Sequence, residues 1–402
     1  MKAYFSVIGI GLGHASRCIS IAEELEKEGI ECVFSTYGKA AKIAEEDGFR
    51  TYRSKPLMWY VDEKGHVDFE KTILKSPIIF YRMIQHFRDE KKRIEKEDPD
   101  VVITDSRYSI IPASKYADAP RVYITNQPKV YMPRPTNGTN GGFNPLEKLG
   151  QWWNYKLLSG HDKILLPDFP MPKSISYRHM RIGDAPDVFK NKIEFVGPIA
   201  PHRPNGYATN HVEEVCKKYE VEPDEFIYIS FSGPGTVKEE IHDAIFELFR
   251  DYEYPAIMGS GKPGDFQIHH KGNLKIVDGW IDEKDRESLL EGAKLIISRA
   301  GLCTLSEIAA FGKRAVVIPQ PNQPEQETNA RGIEKLGLAK KIEPYEITDE
   351  ILDKRIRELL RSSKACTDAE RCKKMIDSWI GEKKSAEIIM DMLENGTDVQ
   401  NS

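Results

Sequence analysis

Short apolar segments alternate with amphipathic helical patterns along this chain, and the alternation runs twice. In the first half, apolar segments at residues 4–8, 31–35 and 100–104 are each followed by a helical pattern. This βα rhythm is typical of a parallel sheet covered by helices. It restarts in the second half, with apolar segments at residues 226–230, 254–259, 274–277, 295–298 and 315–319. The chain is therefore predicted to contain two α/β domains.

Prolines mark the boundary between the two predicted domains. They cluster around one apolar strand at residues 193–196, at Pro167, Pro170, Pro172, Pro186, Pro198, Pro201 and Pro204. Because such stretches commonly connect domains, we expect an N-terminal domain at residues 1–198 and a second domain at 199–380. Residues 381–402 are predicted to add a C-terminal helix and tail, since apolar residues recur there with helical spacing.

The composition excludes several classes of protein. The chain has 402 residues, of which 40% are hydrophobic, and this is enough for two cores. Its 63 acidic residues nearly balance 58 Lys and Arg, which argues against a nucleic-acid binder that depends on bulk positive charge. Six cysteines form no CxxC pair, so we expect a reduced, cytoplasmic protein without a zinc site. No apolar stretch approaches the ~20 residues that span a bilayer.

Three glycines follow the first predicted strand, at Gly9, Gly11 and Gly13. They suggest a dinucleotide-binding turn, but the last position of that motif, counted from Gly9, is His14. A histidine side chain there obstructs the approach of a pyrophosphate, so a dehydrogenase is disfavoured. The turn instead presents His14 at the carboxyl end of a strand, where α/β folds carry their chemistry.

His14 and Asp105 are the candidate catalytic residues. Asp105 ends the apolar run at residues 101–104, which places it at the same edge of the predicted sheet as His14. The imidazole titrates near working pH and can act as a general base, with an aspartate fixing its tautomer. The alternatives are a histidine that caps or packs against its helix and an aspartate that merely ends its strand.

Two turns in the second half are suited to binding anions. The first contains Ser232, Gly233 and Gly235, and the second contains Arg299, Gly301 and Leu302. Backbone N–H groups of such turns, and of the helices that follow, face anions, so two turns on one sheet suit a diphosphate. Ordinary tight βα turns have the same appearance.

Three further polar residues are candidates for contacts with a sugar. Glu307 lies about one helical turn beyond the second turn and could accept hydrogen bonds from ribose hydroxyls; its alternative role is to complement the helix dipole. Glu325 and Gln326 lie in a proline-constrained loop at residues 319–329, whose amides and carboxylates match sugar hydroxyls. A solvated loop would also have this composition.

Residues 298–339, SRAGLCTLSEIAAFGKRAVVIPQPNQPEQETNARGIEKLGLA, resemble the donor-binding region of MurG-like glycosyltransferases and their UDP-glycosyltransferase relatives. The shared elements are the serine-glycine turn, the Ser-Glu pair in the helix, a strand ending in proline, and a Gln near an Asn-Ala pair. The resemblance implies a GT-B fold, with two Rossmann-like domains facing across a cleft and a C-terminal helix returning to the N-terminal domain. It implies that the N-terminal domain binds the acceptor and the C-terminal domain binds the nucleotide-sugar.

The resemblance also implies roles for individual residues. It assigns Ser232, Gly233 and Gly301 to the diphosphate, Glu307 to the ribose, and Glu325 with Gln326 to the donor sugar. Trp280 and Ile281 fall where the family holds uracil, although core packing is the other interpretation of Trp280. Gly13, Gly235, Arg299 and Leu302 complete the predicted donor contacts. MurG differs by carrying Gln-Gln at the position of Glu325-Gln326 and by lacking the equivalent of Asp105.

Together these features predict an inverting, metal-independent hexosyltransferase without a cofactor. It would move GlcNAc or another hexose from a UDP-sugar to an acceptor hydroxyl in cell-envelope or glycolipid synthesis. Residues 57–93 combine apolar and basic residues, which suits a lipid-linked acceptor and peripheral contact with the cytoplasmic membrane face; a helix packed inward on the sheet is the alternative. A UDP-GlcNAc 2-epimerase-like enzyme and a non-catalytic nucleotide-sugar-binding subunit also remain open.

Overall fold

A computed structural model describes residues 1–56, 76–131, 145–204, 209–231, 239–260, 265–279, 281–321 and 323–400. The chain divides into two compact units, one formed by Met1–Ile199 with Trp379–Ser402 and the other by Ala200–Ser378. Each unit is built on a seven-stranded sheet. The predicted α/β fold class is confirmed.

Among the described residues, the Met1–Ile199 part of unit 1 contains seven strands and six helices. The strands are β1 (Lys2–Val7), β2 (Glu31–Thr36), β3 (Arg50–Arg53), β4 (Val101–Asp105), β5 (Arg121–Ile124), β6 (Lys163–Leu166) and β7 (Ile193–Phe195). The helices are α1 (Leu12–Lys27), α2 (Lys39–Glu46), α3 (Ser76–Glu97), α4 (Ile111–Ser114), α5 (Pro145–Leu158) and α6 (Asp187–Lys190), with a 3₁₀ turn at Tyr108–Ile110.

The sheet of unit 1 has the strand order β3-β2-β1-β4-β5-β6-β7, and all of its strands are parallel. This order reverses direction between β1 and β4, which is the topological switch point of a doubly wound sheet. Val7 is in register with Asp105 at that point. The chain leaves β1 and β4 at the same edge, so the segments that follow these two strands border one crevice.

Unit 2 repeats the same plan. Its strands are β8 (Ile227–Ser230), β9 (Ala256–Gly259), β10 (Gln267–Lys271), β11 (Leu274–Asp278), β12 (Leu295–Ser298), β13 (Ala315–Val317) and β14 (Ala339–Lys341). Its helices are α7 (Thr209–Lys218), α8 (Glu239–Leu248), α9 (Glu283–Gly292), α10 (Leu302–Ala310), α11 (Pro324–Lys335), α12 (Asp349–Leu360) and α13 (Ser363–Asp377).

The sheet of unit 2 has the order β10-β11-β9-β8-β12-β13-β14. All pairs are parallel except β10 with β11, which form an antiparallel ribbon at one edge. The switch point lies between β8 and β12, where Ser230 is in register with Ser298. Both anion-suited turns predicted from the sequence follow these two central strands.

The last helix, α14 (Gly381–Gln400), belongs to unit 1. Its residues Ala386, Ile389 and Leu393 are buried in the same core cluster as Ala15 and Cys18 of α1. Their spacing of three and four residues forms one stripe on the helix, which explains why this face is buried. The roles of the two domains in binding acceptor and donor stay predictions.

Several elements were missing from the sequence-based assignment. The strands β3, β6 and β14 and the edge strand β10 have only three to five residues each, too few for a clear period-two pattern. Helices α5, α7, α9, α12 and α13 are also absent from the sequence-based prediction. The predicted loop at residues 319–329 is wrong from Pro324 onward, because Glu325 and Gln326 lie in helix α11. The parallel direction of the central strands, in contrast, agrees with the predicted βα alternation, whereas their order in each sheet comes from the structure.

Two glycines shape the turn between β1 and α1. Gly9 is packed against Tyr37, and a Cβ on Gly9 would overlap the Tyr37 carbonyl oxygen and ring. Gly11 is the N-cap of α1 and has φ of 78°, a left-handed conformation that favours glycine. The turn that presents His14 therefore depends on both glycines for different reasons.

We expect Gly9→Ala to lower the free energy of unfolding by more than about 2 kcal/mol, because the added methyl group has no space. Gly11→Ala meets no atom and should cost about 1–2 kcal/mol from backbone strain alone. Urea unfolding monitored by circular dichroism measures both. Gly183→Ala is the control, since a Cβ there meets nothing; a loss for Gly9→Ala as small as this control's would contradict the packing argument.

Candidate active site

His14 lies in the first turn of α1, next to the carboxyl end of β4. Its Nδ1 is 2.7 Å from Oδ1 of Asp105, the last residue of that strand. The Asp105 side chain is fully buried, whereas the His14 side chain is partly exposed. The structure thus brings together the two residues predicted as a pair, with one edge of the imidazole reaching solvent.

Arg17 is a third member of this cluster that the sequence analysis did not identify. It is buried one turn after His14 on α1, and its Nε and Nη2 donate to the two Asp105 oxygens at 2.5 Å each. Burial alone would raise the pKa of the Asp105 carboxyl, but Arg17 and His14 outweigh it and hold this pKa well below its usual range. Asp105 is therefore ionised at any working pH.

A second buried network lies at the same edge of the unit 1 sheet. Glu90 of α3 accepts hydrogen bonds from Tyr4 and Ser35, and the Arg107 guanidinium lies 3.3 Å from it. Arg107 also donates to the Ser35 carbonyl oxygen at 2.9 Å. These groups pair with one another across β1, β2 and the end of β4, although Arg107 Nε has no hydrogen-bond partner among the described residues. We assign the network to stability of the sheet.

The turn after β12 forms the corresponding position in unit 2. Gly301 is the N-cap of α10 and carries no side chain that could cap the helix amides. The turn is fixed from α11, because Asn329 Nδ2 donates to the Ala300 carbonyl oxygen at 3.0 Å. Leu302, the first residue of α10, is buried beneath the turn. The amino end of α10 is thus a rigid position suited to an anion.

Arg299 places a buried positive charge at this turn. Its Nη1 lies 3.3 Å from the Ile318 carbonyl oxygen and 3.4 Å from that of Pro319, and its guanidinium lies over the Phe231 ring at 5.4 Å. Among the residues that the structure describes, no carboxylate pairs with Arg299. Burial lowers its pKa to about 10, which still leaves it charged. A buried cation without a counter-charge is suited to binding an anion.

Glu307 is more constrained than the sequence suggested. It is 2% exposed, and the Arg286 guanidinium donates to both of its oxygens. His202 Nδ1 lies 2.6 Å from Glu307 Oε1. Burial would raise the pKa of Glu307, but Arg286 and His202 outweigh it and lower this pKa to about 2. A ribose hydroxyl that donates a hydrogen bond to Glu307 would therefore join Arg286 and His202, or replace one of them.

Of the other predicted donor residues, the structure describes Ile281, Gln326 and Glu325 in unit 2 and Gly13 in unit 1. Ile281 lies at the carboxyl end of β9, since its Cδ1 is 3.6 Å from the position of a Cβ on Gly259. Gln326 is occupied in part, because its Oε1 accepts a hydrogen bond from the Gln320 backbone N–H at 2.8 Å. Glu325 lies in the first turn of α11.

Ser232, Gly233, Gly235 and Trp280 lie outside the described residues. Gly13 belongs to unit 1, in the first turn of α1.

Comparison with known proteins shows which domain family and which proteins this chain is similar to. Residues 248–389 match the glycosyltransferase family 28 C-terminal domain. An uncharacterized glycosyltransferase of Methanosarcina acetivorans is 26% identical over 392 residues, covering 90% of this chain and 88% of the relative. The UDP-N-acetylglucosamine–N-acetylmuramyl-(pentapeptide) pyrophosphoryl-undecaprenol N-acetylglucosamine transferase of Clostridium perfringens is 22% identical over 373 residues, covering 89% and 91%.

A solved structure shows the same fold over the whole chain. The crystal structure of LpCGTa in complex with UDP has a TM-score of 0.68 at 17% identity, covering 98% of this chain and 99% of that one. The family 28 match and the relatives named as glycosyltransferases identify this chain as a glycosyltransferase. They support a place for it in the MurG-like and UDP-glycosyltransferase superfamily. The predicted two-domain GT-B fold is confirmed.

Both units of this glycosyltransferase contain a trio that the sequence analysis only partly identified. Each consists of a buried carboxylate, an arginine and a histidine whose Nδ1 faces the carboxylate. The members are Asp105, Arg17 and His14 in unit 1, and Glu307, Arg286 and His202 in unit 2. Arg17 follows His14 by one helical turn, a spacing visible in the sequence, whereas Arg286 and His202 meet Glu307 from distant segments.

Glu307→Gln should change the acid stability of the glycosyltransferase. A carboxylate whose pKa is depressed from 4.5 to about 2 contributes about 3 kcal/mol above pH ~5, and this is lost as the pH falls toward about 2. The stability gap between wild type and Glu307→Gln should therefore narrow from pH ~5.5 to pH ~2.5. Urea unfolding at each pH measures the gap, and a constant gap would contradict this account. Glu222→Gln, at an exposed position of the same unit, is the control.

Proposed function

We propose that this glycosyltransferase moves a hexose, GlcNAc being the first candidate, from a UDP-sugar to an acceptor hydroxyl with inversion at the anomeric carbon. The observation that carries the proposal is the His14–Asp105 pair at the switch point of unit 1. A partly exposed imidazole held by a buried, ionised carboxylate is the arrangement that a general base requires.

The proposed reaction uses the two nitrogens of His14 differently. Nδ1–H donates to Asp105, which leaves a lone pair on Nε2. Nε2 takes the proton of the acceptor hydroxyl, and the hydroxyl oxygen forms a bond to the anomeric carbon. The bond from this carbon to the diphosphate oxygen breaks, and its electron pair leaves with the UDP. Attack opposite the leaving group inverts the configuration.

The donor half of the proposal rests on unit 2. Arg299 and the amino end of α10 would counter the charge of the leaving diphosphate without a metal. Ile281 would border the uracil, Glu307 would accept from the ribose, and Glu325 with Gln326 would contact the sugar. Two similar proteins support a uracil nucleotide: one is named for transfer from UDP-N-acetylglucosamine, and the other was crystallised with UDP.

An apolar cavity in unit 1 supports an acceptor with an apolar part. It encloses about 410 Å³ beside α5, and Trp153, Leu157 and Tyr108 form part of its wall. The amides of Gln151 and Asn154 on this wall are bonded to the backbone near residues 128–130, which leaves the cavity mainly apolar. Tyr108 follows Asp105 by three residues, so the cavity lies near the proposed base.

Exposed apolar side chains on two helices support a lipid-linked acceptor. On α3, Phe80 is 65% and Tyr81 59% exposed, whereas the buried face of that helix carries His86, Glu90 and Ile94. The sequence alternative, in which the apolar residues of α3 pack inward, is wrong for Phe80, whereas Phe87 of the same helix packs against the core. On α5, Trp153 is 55% exposed.

No helix among the described residues is long and apolar enough to cross a bilayer. We therefore propose peripheral contact with the cytoplasmic membrane face, in envelope or glycolipid synthesis.

Two substitutions should separate catalysis from donor binding. We expect His14→Ala to lower the transfer rate by a factor of about 10²–10⁴, as loss of a general base does, while UDP still raises the melting temperature. Arg299→Met should weaken UDP binding about 10- to 100-fold, since hydrogen bonds to charged groups contribute about 1.5–3 kcal/mol. Transfer assays with a panel of UDP-sugars and thermal shifts measure both.

Arg314→Met is the matched control for Arg299→Met. Arg314 lies just before the amino end of β13 in the same sheet, whereas Arg299 follows the carboxyl end of β12. Arg314 also donates to a backbone carbonyl oxygen, that of Leu359 at 2.8 Å. Its loss should leave the UDP response unchanged. An active His14→Ala variant would overturn the base assignment, and the absence of stabilisation by any uracil nucleotide would overturn the donor assignment.

The membrane proposal predicts flotation with liposomes that contain anionic lipid. Replacing Trp152 and Trp153 by Ser should lower the bound fraction several-fold, because exposed tryptophans favour the membrane interface. Tyr345→Ser is the control, since Tyr345 is also an exposed aromatic residue but lies in unit 2. Equal flotation of the double variant and wild type, or no flotation of either, would contradict the proposal.

A further inference from the structure

The Arg17 guanidinium contacts both members of the His14–Asp105 pair. Its Nη2 lies 2.5 Å from Asp105 Oδ1 and 2.9 Å from His14 Nδ1, and the latter two atoms are 2.7 Å apart. Three polar atoms therefore meet at one point, and a positive charge lies against the proposed base. The transfer reaction as described above assigns no step to this arginine.

His14 Nδ1 cannot satisfy both neighbours in one tautomer. With a proton it donates to Asp105, and with a lone pair it accepts from Arg17. The second arrangement directs a lone pair at an ionised carboxylate oxygen, which is repulsive. Arg17 does not need this acceptor, because its Nε and Nη2 already form a fork on the carboxylate. The geometry thus favours a proton on Nδ1 and a free lone pair on Nε2.

We propose that Arg17 is a positioning residue that compensates the negative charge of Asp105. It thereby favours the neutral, Nδ1-protonated form of His14. In a pair without the arginine, the carboxylate charge would stabilise a protonated imidazole unopposed. Here the guanidinium opposes that stabilisation at nearly the same distance. Asp105 then orients the ring without holding a second proton on it. The inference rests on the proposed role of His14 as general base.

Other groups near the pair do not supply this effect. Further titratable neighbours of Asp105 among the described residues are Cys18, whose Sγ lies 3.4 Å from Oδ2, and the buried Tyr123 of β5, with Tyr108 beside it. Burial raises the pKa of Tyr123 well above its ordinary value, so it is neutral at working pH. Among these neighbours, Arg17 is the one with a permanent positive charge.

The pH dependence of transfer tests the proposal. In Arg17→Met, the protonated imidazole loses its like-charged neighbour, so the acidic limb of the kcat/KM profile should move to higher pH by about one unit. Arg17→Lys keeps a positive charge near the pair, and its limb should move by less than half as much. The KM for the donor should change little, because the proposed donor contacts other than Gly13 lie in unit 2.

Arg107→Met is the control for a purely structural effect. Arg107 is as buried as Arg17 and pairs with Glu90 at the same sheet edge, but its bonds go to Ser6, Ser35, Ser54 and His86 and not to His14. We expect this variant to lose stability without moving the acidic limb. An acidic limb of the kcat/KM profile that moves equally in Arg17→Met and Arg107→Met would overturn the proposal. An acidic limb that does not move in Arg17→Met would overturn it as well.

Nitrogen NMR of ¹⁵N-histidine-labelled full-length protein gives a readout that needs no turnover. The His14 signal, identified by its loss in His14→Ala, should show the Nδ1–H tautomer in wild type and should titrate at higher pH in Arg17→Met. An Nε2–H tautomer in wild type, or identical titration in both proteins, would overturn the role of Arg17. Retained transfer in His14→Ala would instead overturn the base assignment, and the NMR comparison would still decide the role of Arg17.

Discussion

The structure depends on hydrogen bonding between two central parallel strands in each unit, β1 with β4 and β8 with β12. At these pairs the strand order reverses, so the connections that follow leave the sheet on opposite sides and open a crevice at its carboxyl edge. Helix α1 begins at one crevice and α10 at the other. The positive end of a helix dipole and the last side chains of the strands therefore meet at the same place in each unit.

Buried carboxylates at both places show how this fold keeps a charge inside. Asp105 and Glu307 have lost their water, and an isolated carboxylate in that position would be neutralised. An arginine fork and a histidine Nδ1 replace the water at each of them, which keeps both carboxylates ionised. The contrast is Arg299, a buried cation that has only carbonyl oxygens and an aromatic ring around it among the described residues. That imbalance of charge is what makes the unit 2 turn suited to an anion.

Much of the fold could be predicted because the signals are local. The apolar runs of β1, β4, β8 and β12, and the glycine turns after β1 and β12, are short-range patterns that require particular backbone shapes. The short strands β3, β6, β10 and β14 and helix α5 could not be assigned, since three to five residues carry little periodic pattern and packing partners far along the chain decide their structure. The buried face of helix α3 could not be predicted from the sequence either. Its buried face carries His86 and Glu90, because buried arginine and serine groups compensate them, and this reverses the usual inference from polarity.

The sequence by itself determined the α/β class, the glycine turn that presents His14, the end of β4 at Asp105, and the turn that contains Arg299 and Gly301. These follow from backbone preferences and from the end of an apolar run, which act over a few residues. Only the tertiary structure decided that Arg17 shares the Asp105 carboxylate, that Arg286 and His202 occupy Glu307, and that Arg299 has no carboxylate partner among the described residues. Charge compensation depends on distances between groups that the sheet brings together, and a linear pattern does not contain those distances.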